Sequence, residues 1–321
     1  MIRCLHCGDE IDASSAEEIE NRWHNRCIKS FFSTTTLPKL DITKSKLEKL
    51  VGLNVNEGLT IPGVQKKISL HLSHDDPVRL TLINYPTGYI LKPQTDEYKN
   101  LPEFEWLAMR LASISGIKVV PFALYNTGEE LVYLTKRIDR QFKSENEIER
   151  FAMEDFCQLS ERLVEDKYKG SYESCARIIK KYSYNPRLDL SELYLRLIVS
   201  FIIGNSDLHL KNFSLIESSP GERYFTLSPA YDILPVNVVE PRDPDELALS
   251  LNGKKRDLEL EDFLLFAEYC ELGRSTGEKI IKTVLEKSER YEKLIQSSPL
   301  TRSEKEKFSA LISSRSSRLK L

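Results

Sequence analysis

The chain has 321 residues, of which 40% are hydrophobic and 30% charged, and its formal net charge is −3. This is the composition of an ordinary globular protein, long enough for two domains or lobes. The slightly acidic balance argues against strong nucleic-acid binding by the chain alone, because phosphate contacts require an excess of Lys and Arg.

The N-terminal MIRCLHCGDE lacks the apolar region of a signal peptide. No stretch reaches the roughly 18 apolar residues of a spanning helix, and the longest run, Leu197–Ile203, fits a buried helix. These features predict a cytoplasmic protein that contacts no membrane. Its six cysteines are then reduced thiols, metal ligands or core residues rather than a disulfide framework.

Residues 1–33 stand apart. Cys4-x-x-Cys7 and His24-x-x-Cys27 form an S₃N set with the spacing of a closed, structural Zn²⁺ site. The segment has little core of its own, so metal would fold it; reduced cysteines in a tail, with His24 solvated, is the other reading. Thr34, Thr35, Thr36 and Pro38 read as a linker. Residues 44–53 form a short helix with Leu47, Leu50 and Val51 on one side.

From about 57 to 140 the apolar period is mostly two. Ile68, Leu70 and Leu72 alternate with polar neighbours, as do Val78, Leu80 and Leu82, and Leu131–Leu134 is strand-like. One helix interrupts this region, with Phe104, Leu107, Ala108 and Leu111 at helical spacing. Beyond about 150 the pattern is helical, at 190–203, 258–270, 276–296 and 303–319, with a β-like insert at Phe213–Leu234. Cys157, Cys175 and Cys270 fall within helical patterns and are expected in the core. The order predicts an α+β, two-lobed architecture with a β-rich N-lobe (34–145) and a mostly helical C-lobe (146–321), preceded by the small metal-binding-like segment 1–33.

The strongest chemical signal is the block Asn205–Asn212. Phosphoryl transfer from ATP needs a carboxylate to accept a hydroxyl proton and an amide oxygen nearby to hold Mg²⁺. Asp207 and Asn212 have the D-x-x-x-x-N spacing of a kinase catalytic loop, and Asp232 follows one hairpin later as a second Mg²⁺ ligand. That spacing alone is common; the apolar helix before it, the strand after it and the second Asp give it weight. Lys92 ends the strand Tyr89-Ile90-Leu91-Lys92, and Glu105 lies on the helix that follows. Together they could form the Lys–Glu pair that holds ATP phosphates. Pro62, Gly63, Val64, Gln65, Lys66 and Lys67 form a loop with one glycine, whose backbone N–H groups could cradle phosphate.

These motifs resemble the HipA-family serine/threonine protein kinases. Gly63-Val64-Gln65 with Lys67, Ile90-Leu91-Lys92-Pro93, Lys136-Arg137-Ile138-Asp139-Arg140, Glu154-Asp155-Phe156-Cys157-Gln158, Asn205–Asn212 and Tyr231-Asp232-Ile233 occur in that order in the family. The string Asp207–Ser214 is highly specific to it. The resemblance implies Asp207 as catalytic base, Asn212 and Asp232 as Mg²⁺ ligands, and Lys92 on the ATP phosphates. It implies Lys136, Arg137 and Ile138 as the adenine-facing hinge, Pro62–Lys67 as the phosphate loop, and Lys211 and Tyr231 beside the nucleotide; His209 would touch the nucleotide's phosphate, orient the loop, or be structural. Glu154 and Asp155 would brace a nearby helix.

Family members are toxins of toxin–antitoxin systems, with aminoacyl-tRNA synthetases as known targets. The resemblance is to the shortened, HipT-like form, whose missing N-terminal subdomain is a small HipS-like partner. It also implies a helix-turn-helix, HipB-like antitoxin and no direct DNA binding by this chain. Thr60 stands where longer members carry an autophosphorylated serine, which predicts autophosphorylation there. Two other readings remain open: a small-molecule phosphotransferase of the aminoglycoside or choline kinase type, and a non-catalytic pseudokinase.

Overall fold

The computed structural model describes residues 2–40, 67–73, 77–81, 87–143 and 147–320. The helix expected at 44–53, Thr60 and the loop residues Pro62, Gly63, Val64, Gln65 and Lys66 lie outside these. The chain divides into two compact units, Met1–Trp106 with Pro121–Glu149, and Leu107–Val120 with Arg150–Leu321.

The first unit holds helices α1 (Ala16–Asn21) and α2 (Asn25–Phe32) and strands β1 (Lys39–Leu40), β2 (Ile68–Ser73), β3 (Arg79–Thr81), β4 (Tyr89–Lys92), β5 (Phe122–Asn126) and β6 (Leu131–Lys136). The strands form one sheet in the order β1-β3-β2-β4-β6-β5. β1 runs parallel to β3, and every other neighbouring pair is antiparallel. β7 (Arg140–Phe142) and β8 (Ile148–Arg150) pair as a separate ribbon.

Leu70, Leu80, Leu91, Leu124, Val132 and Leu134 are wholly buried; the period-two pattern predicts Leu70 and Leu80, whereas β5 and β6 bury consecutive residues. β2 departs from alternation as well. His71 and Ser73 are also buried while Leu72 is half-exposed and Ser69 exposed, so the face opposite Ile68 and Leu70 is covered only toward the strand's end, where alternation carries less information.

The helix α3 (Leu101–Ile114) buries Phe104, Leu107, Ala108 and Leu111 as their spacing predicts. The sheet unit includes it as far as Trp106.

The N-terminal segment belongs to the sheet unit. The Leu124 N–H on β5 donates to the Leu5 carbonyl at 2.9 Å. The Tyr89 hydroxyl on β4 donates to the Phe31 carbonyl at 3.3 Å. Trp23, Phe31 and Phe32 are buried, with the two phenylalanine rings edge-on at 4.8 Å, the arrangement that aromatic quadrupoles favour. The stretch expected as a linker is packed: Thr34 is buried, and the Pro38 carbonyl accepts from Tyr125 at 2.9 Å. Anchoring by α2 on one side and β1 on the other leaves these residues little freedom.

The second unit is built on α6 (Pro186–Ile203), with β9 (Met153–Asp155), α4 (Phe156–Leu159) and α5 (Tyr172–Tyr182) before it. After it come β10 (Ser214–Glu217), β11 (Phe225–Leu227), α7 (Val236–Val239), α8 (Leu260–Tyr269), α9 (Arg274–Leu285), α10 (Ser288–Ser297) and α11 (Arg302–Arg318). The strands form a sheet in the order β11-β10-β9.

Most of residues 190–203 are buried in α6, in keeping with an apolar pattern broken only by Ser191, Glu192, Arg196 and Ser200. Cys157, Cys175 and Cys270 are free thiols in the core. The single helix expected over 276–296 is two helices, because the chain turns at Glu286–Lys287. The turn lets Ile281 and Val284 on α9, and Tyr291 and Ile295 on α10, all reach buried positions, and the Tyr291 hydroxyl meets that of Ser115. Among the described residues, no helix is long and apolar enough to cross a membrane.

Gly204 ends α6 with φ +76°, and its N–H bonds Phe201 and Ser200 carbonyls. A Cβ there would lie 2.4 Å from a Leu311 methyl carbon. A left-handed backbone already disfavours a side chain by about 1–2 kcal/mol, and overpacking adds about 1–3 kcal/mol. Gly204→Ala should therefore lower unfolding free energy by about 2–4 kcal/mol, read as a fall in the urea midpoint with unchanged slope.

Candidate active site

The block Asn205–Asn212 follows the left-handed turn at Gly204 and is almost wholly buried. A single 3₁₀ turn, Leu210–Asn212, fixes its far end. The His209 N–H donates to Asn212 Oδ1 at 3.0 Å, and the Asn212 N–H returns to the His209 carbonyl at 2.9 Å. The His209 N–H also reaches the Asp207 carbonyl at 2.8 Å. Backbone and side chain together therefore hold Asp207, His209 and Asn212 in one arrangement.

Asp207 Oδ1 accepts from the Tyr168 hydroxyl at 2.6 Å. Burial, and then the charge of Asp207, push the Tyr168 pKa well above the ordinary tyrosine value, so its hydroxyl stays protonated and donates. The Tyr168 ring stands edge-on to His209 at 5.1 Å.

The string Glu154–Gln158 gains a physical account. Asp155 accepts the Gln158 N–H at 2.9 Å while Gln158 Oε1 accepts the Asp155 N–H at 2.9 Å, a reciprocal cap on α4. The other Asp155 oxygen takes the Lys211 ammonium at 2.7 Å. Phe156 stacks on Phe213, and β9 pairs with β10 in the register Ser214↔Asp155 and Leu215↔Glu154. The string thus clamps the loop's exit. Lys211, expected beside the nucleotide, has its ammonium on Asp155.

Asp232 sits at φ +60°, a left-handed conformation that Asp tolerates better than most residues. The preceding Tyr231 hydroxyl donates to the Lys211 carbonyl at 3.0 Å and shares a 2.5 Å hydrogen bond with Ser214. Burial pushes the Tyr231 phenol up. Ala230 is tied by backbone hydrogen bonds to Lys118 and Val120, at 2.7 and 3.0 Å. The Arg196 guanidinium on α6, buried, donates to the Ser228 carbonyl at 2.6 Å. The segment carrying Asp232 is thus bonded to the Asp207–Asn212 loop and to α6.

Sequence reading assigned nothing to a further set of supports. The Ser206 hydroxyl donates to Asp243 at 2.6 Å. Asn237 donates to Ser206 at 3.4 Å and accepts from Arg315 of α11 at 3.1 Å. Arg315 also donates to the Phe201 carbonyl at 3.2 Å and lies 4.6 Å over the Phe201 ring. These residues occupy loops and a charged helix with no motif spacing, so the only available signal was Arg315 itself, a cation on the buried face of α11.

In the first unit, Lys92 Nζ meets Glu105 Oε1 at 2.5 Å, with side chains 4% and 1% exposed. The ammonium also lies 5.3 Å from the Tyr133 ring centre. β4 delivers Lys92 opposite Tyr133 of β6, and α3 delivers Glu105. Lys136 ends β6, and its N–H binds the Pro121 carbonyl; burial lowers its pKa. Arg137 donates its N–H to the Gly88 carbonyl at 2.9 Å, and Ile138 is half-buried. Arg137 and Arg140 both grip Asp139, at 2.7 and 2.8 Å. Lys67 is exposed just before β2.

Cys4, Cys7, His24 and Cys27 converge, with one ligand atom from each lying within 4.8 Å of all the others. Hydrogen bonds from Cys27 and then Cys7 hold the Cys4 thiol well below its ordinary range, while the Cys27 thiol is pushed up.

The model of the HipA-like C-terminal domain family matches residues 59–291. The chain belongs to this family. A protein of Sinorhizobium fredii named as a kinase, Y4mE, is 28% identical over 222 residues, covering 67% of this HipA-family chain and 51% of its own length. The serine/threonine-protein kinase toxin HipA of Shewanella oneidensis is 23% identical over 211 residues, 61% of this chain and 47% of its own. The chain thus spans about half the length of these two relatives.

The solved Shewanella oneidensis HipA complex with HipB and operator DNA matches with a TM-score of 0.70 at 18% identity, covering 84% of this chain and 70% of that one. The Helicobacter pylori proinflammatory kinase CtkA matches with a TM-score of 0.54 at 16% identity, covering 75% and 87%. These likenesses give the HipA-family chain a protein-kinase-like α+β fold, as its sequence order predicts.

Burial alone would raise the Asp139 pKa, but Arg137 and Arg140 hold it well below the usual carboxylate range. The ionised form is therefore favoured in the folded chain, and its stabilisation is present above the unfolded value and lost as pH falls through the folded one. Asp139→Asn should destabilise the protein at pH 7. The gap from wild type should narrow below about pH 4, measured as urea midpoints across a pH series.

Proposed function

We propose that the protein is an ATP-dependent serine/threonine protein kinase and the toxin component of a toxin–antitoxin system. The observation that carries this reading is the Tyr231 hydroxyl bridge to the Lys211 carbonyl and Ser214. It ties the segment of Asp232 to the loop of Asp207 and Asn212, so three groups that phosphoryl transfer requires share one hydrogen-bonded frame.

In this reading the site residues take the following roles. Asp207 receives the acceptor hydroxyl and takes its proton; Tyr168 already presents an O–H to Oδ1 at 2.6 Å, the contact such a hydroxyl would make. Asn212 Oδ1 accepts one N–H and keeps a second lone pair for a cation. Asp232, held left-handed, is the second Mg²⁺ ligand. Lys92, positioned by Glu105, binds phosphate oxygens, and backbone groups of Lys136 and Ile138 face adenine. Bound ATP and Mg²⁺ supply the phosphoryl group and neutralise its charge.

The family resemblance supports the finer assignments: a translation-related target such as an aminoacyl-tRNA synthetase, a small HipS-like partner and a HipB-like antitoxin. The Shewanella HipA is solved with HipB and DNA, which supports an antitoxin partner of that kind here.

Purified protein with labelled ATP, Mg²⁺ and a bacterial lysate should label a discrete lysate protein. Asp207→Ala should reduce that label by about 10²–10⁴-fold. A phosphorylated metabolite in place of a protein would move the assignment to the small-molecule phosphotransferases, and ATP binding without any transfer would make the chain a pseudokinase.

Thr60 is the proposed regulatory site. A phosphate there adds about two negative charges beside a loop meant for ATP phosphates, so it should lower activity. Mass spectrometry of protein incubated with Mg²⁺ and ATP should find Thr60 phosphorylated, and Thr60→Ala should remain active for longer under the same conditions.

A further inference from the structure

The cluster of Cys4, Cys7, His24 and Cys27 has three properties that reduced core thiols do not need. The first is its geometry. Tetrahedral Zn²⁺ with sulfur at ~2.3 Å and nitrogen at ~2.0 Å places its ligand atoms roughly 3.5–4 Å apart. Here His24 Nδ1 lies 3.3 Å from Cys7 Sγ and 3.8 Å from Cys27 Sγ, and all four ligand atoms lie within 4.8 Å of one another.

The second is the histidine tautomer. His24 Nε2 lies 3.1 Å from the Glu10 carbonyl oxygen. A carbonyl only accepts, so Nε2 carries the proton and Nδ1 turns a lone pair toward the sulfurs. This is the outer hydrogen bond that orients a metal-ligating imidazole. The third is support of the sulfur by the backbone: the His24 N–H points at Cys4 Sγ at 3.4 Å.

The two halves of the cluster are also attached, one each, to the elements that carry the buried Lys92–Glu105 pair. The Cys4–Gly8 turn closes by a 2.8 Å hydrogen bond from the Gly8 N–H to the Cys4 carbonyl. Gly8 is left-handed, φ +78°, and a Cβ there would come within 3.2 Å of the Trp106 ring. Trp106 is the residue after Glu105. On the other side, α2, which begins beside His24 and contains Cys27, packs Phe31 and Phe32 against Tyr89 at 5.8 and 5.5 Å. Tyr89 opens the strand that ends in Lys92.

We propose that Cys4, Cys7, His24 and Cys27 bind one Zn²⁺, and that the metal-held knuckle, braced against Trp106 and Tyr89, keeps Glu105 on Lys92. Zinc is then required for tight nucleotide binding although it touches no nucleotide. Binding displaces the thiol protons to solvent and involves no electron transfer. The zinc half stands on the cluster alone; the coupling half rests on reading Lys92 and Glu105 as the nucleotide-binding pair.

The test separates the two. Purified full-length protein should contain one zinc per chain by plasma emission spectroscopy, and Cys7→Ser should retain far less. Absence of zinc, together with no uptake from equimolar Zn²⁺, would overturn the site. Binding of a fluorescent ATP analogue with Mg²⁺ should weaken about tenfold when a chelator strips the protein, within the usual range of coupling between sites, and recover when Zn²⁺ is returned.

Trp106→Phe, too short to reach Gly8, should keep its zinc and still bind the analogue more weakly, which decides the matter if the stripped protein unfolds. Unchanged affinity in a folded, stripped protein or in Trp106→Phe would overturn the coupling. Failure of zinc-loaded wild type to bind the analogue at all would overturn the nucleotide reading and with it the coupling, while the zinc stoichiometry would stand.

Discussion

Asn205, Ser206, His209 and Asn212 are polar side chains buried between an apolar helix and an apolar strand. A buried polar group without a partner costs about 1–3 kcal/mol, and the loop meets much of that cost internally, with the Asp207 N–H on Asn205 Oδ1 and the His209 N–H on Asn212 Oδ1. The rest of the unit adds partners for Ser206 and braces the loop's neighbours. Asp243 and Asn237 come from the segment after the hairpin, Arg315 from the last helix, and Lys211 finds Asp155 before α4. α6 buries most of its apolar side chains, and these bonds hold the loop beside it in a single geometry.

The first unit meets the same constraint with full charges. Taking an ammonium and a carboxylate out of water is expensive, and a buried pair often stabilises no better than hydrophobic residues of the same volume. Lys92 and Glu105 nonetheless sit almost completely buried. Their retention makes sense as positioning: a strand and a helix brought to fixed separation, with one cation held at the point of contact. The same economy recurs at Asp139, where two guanidiniums share one carboxylate at the end of β6.

Much of this was legible in the sequence where a local pattern had one physical meaning. The spacing of Phe104, Leu107, Ala108 and Leu111 marked a buried helix face, and Asp155, expected to brace a nearby helix, does so by capping α4 with Gln158. The convergence of Cys4, Cys7, His24 and Cys27 was likewise readable from two short repeats.

Other features depend on distance in space. Tyr168 lies in a loop without periodicity, and nothing near it in sequence signals that its hydroxyl meets Asp207. Arg315 resembles any solvated cation until its helix is laid against Phe201. The turn at Glu286–Lys287 has neither Pro nor Gly, so two helices read as one. At His71 and Ser73, burial on both faces overrides the alternation that Ile68 and Leu70 obey.

The bond from Arg315 to Asn237 also has a consequence for synthesis. Asn237 donates to Ser206 on one side and accepts from Arg315 on the other, and Arg315 is translated long after both. Domains fold from the N-terminus as they emerge, yet this loop cannot acquire its full set of partners until α11 has left the ribosome. A nascent chain therefore carries Asp207 and Asn212 in an unfinished frame until α11 has been translated.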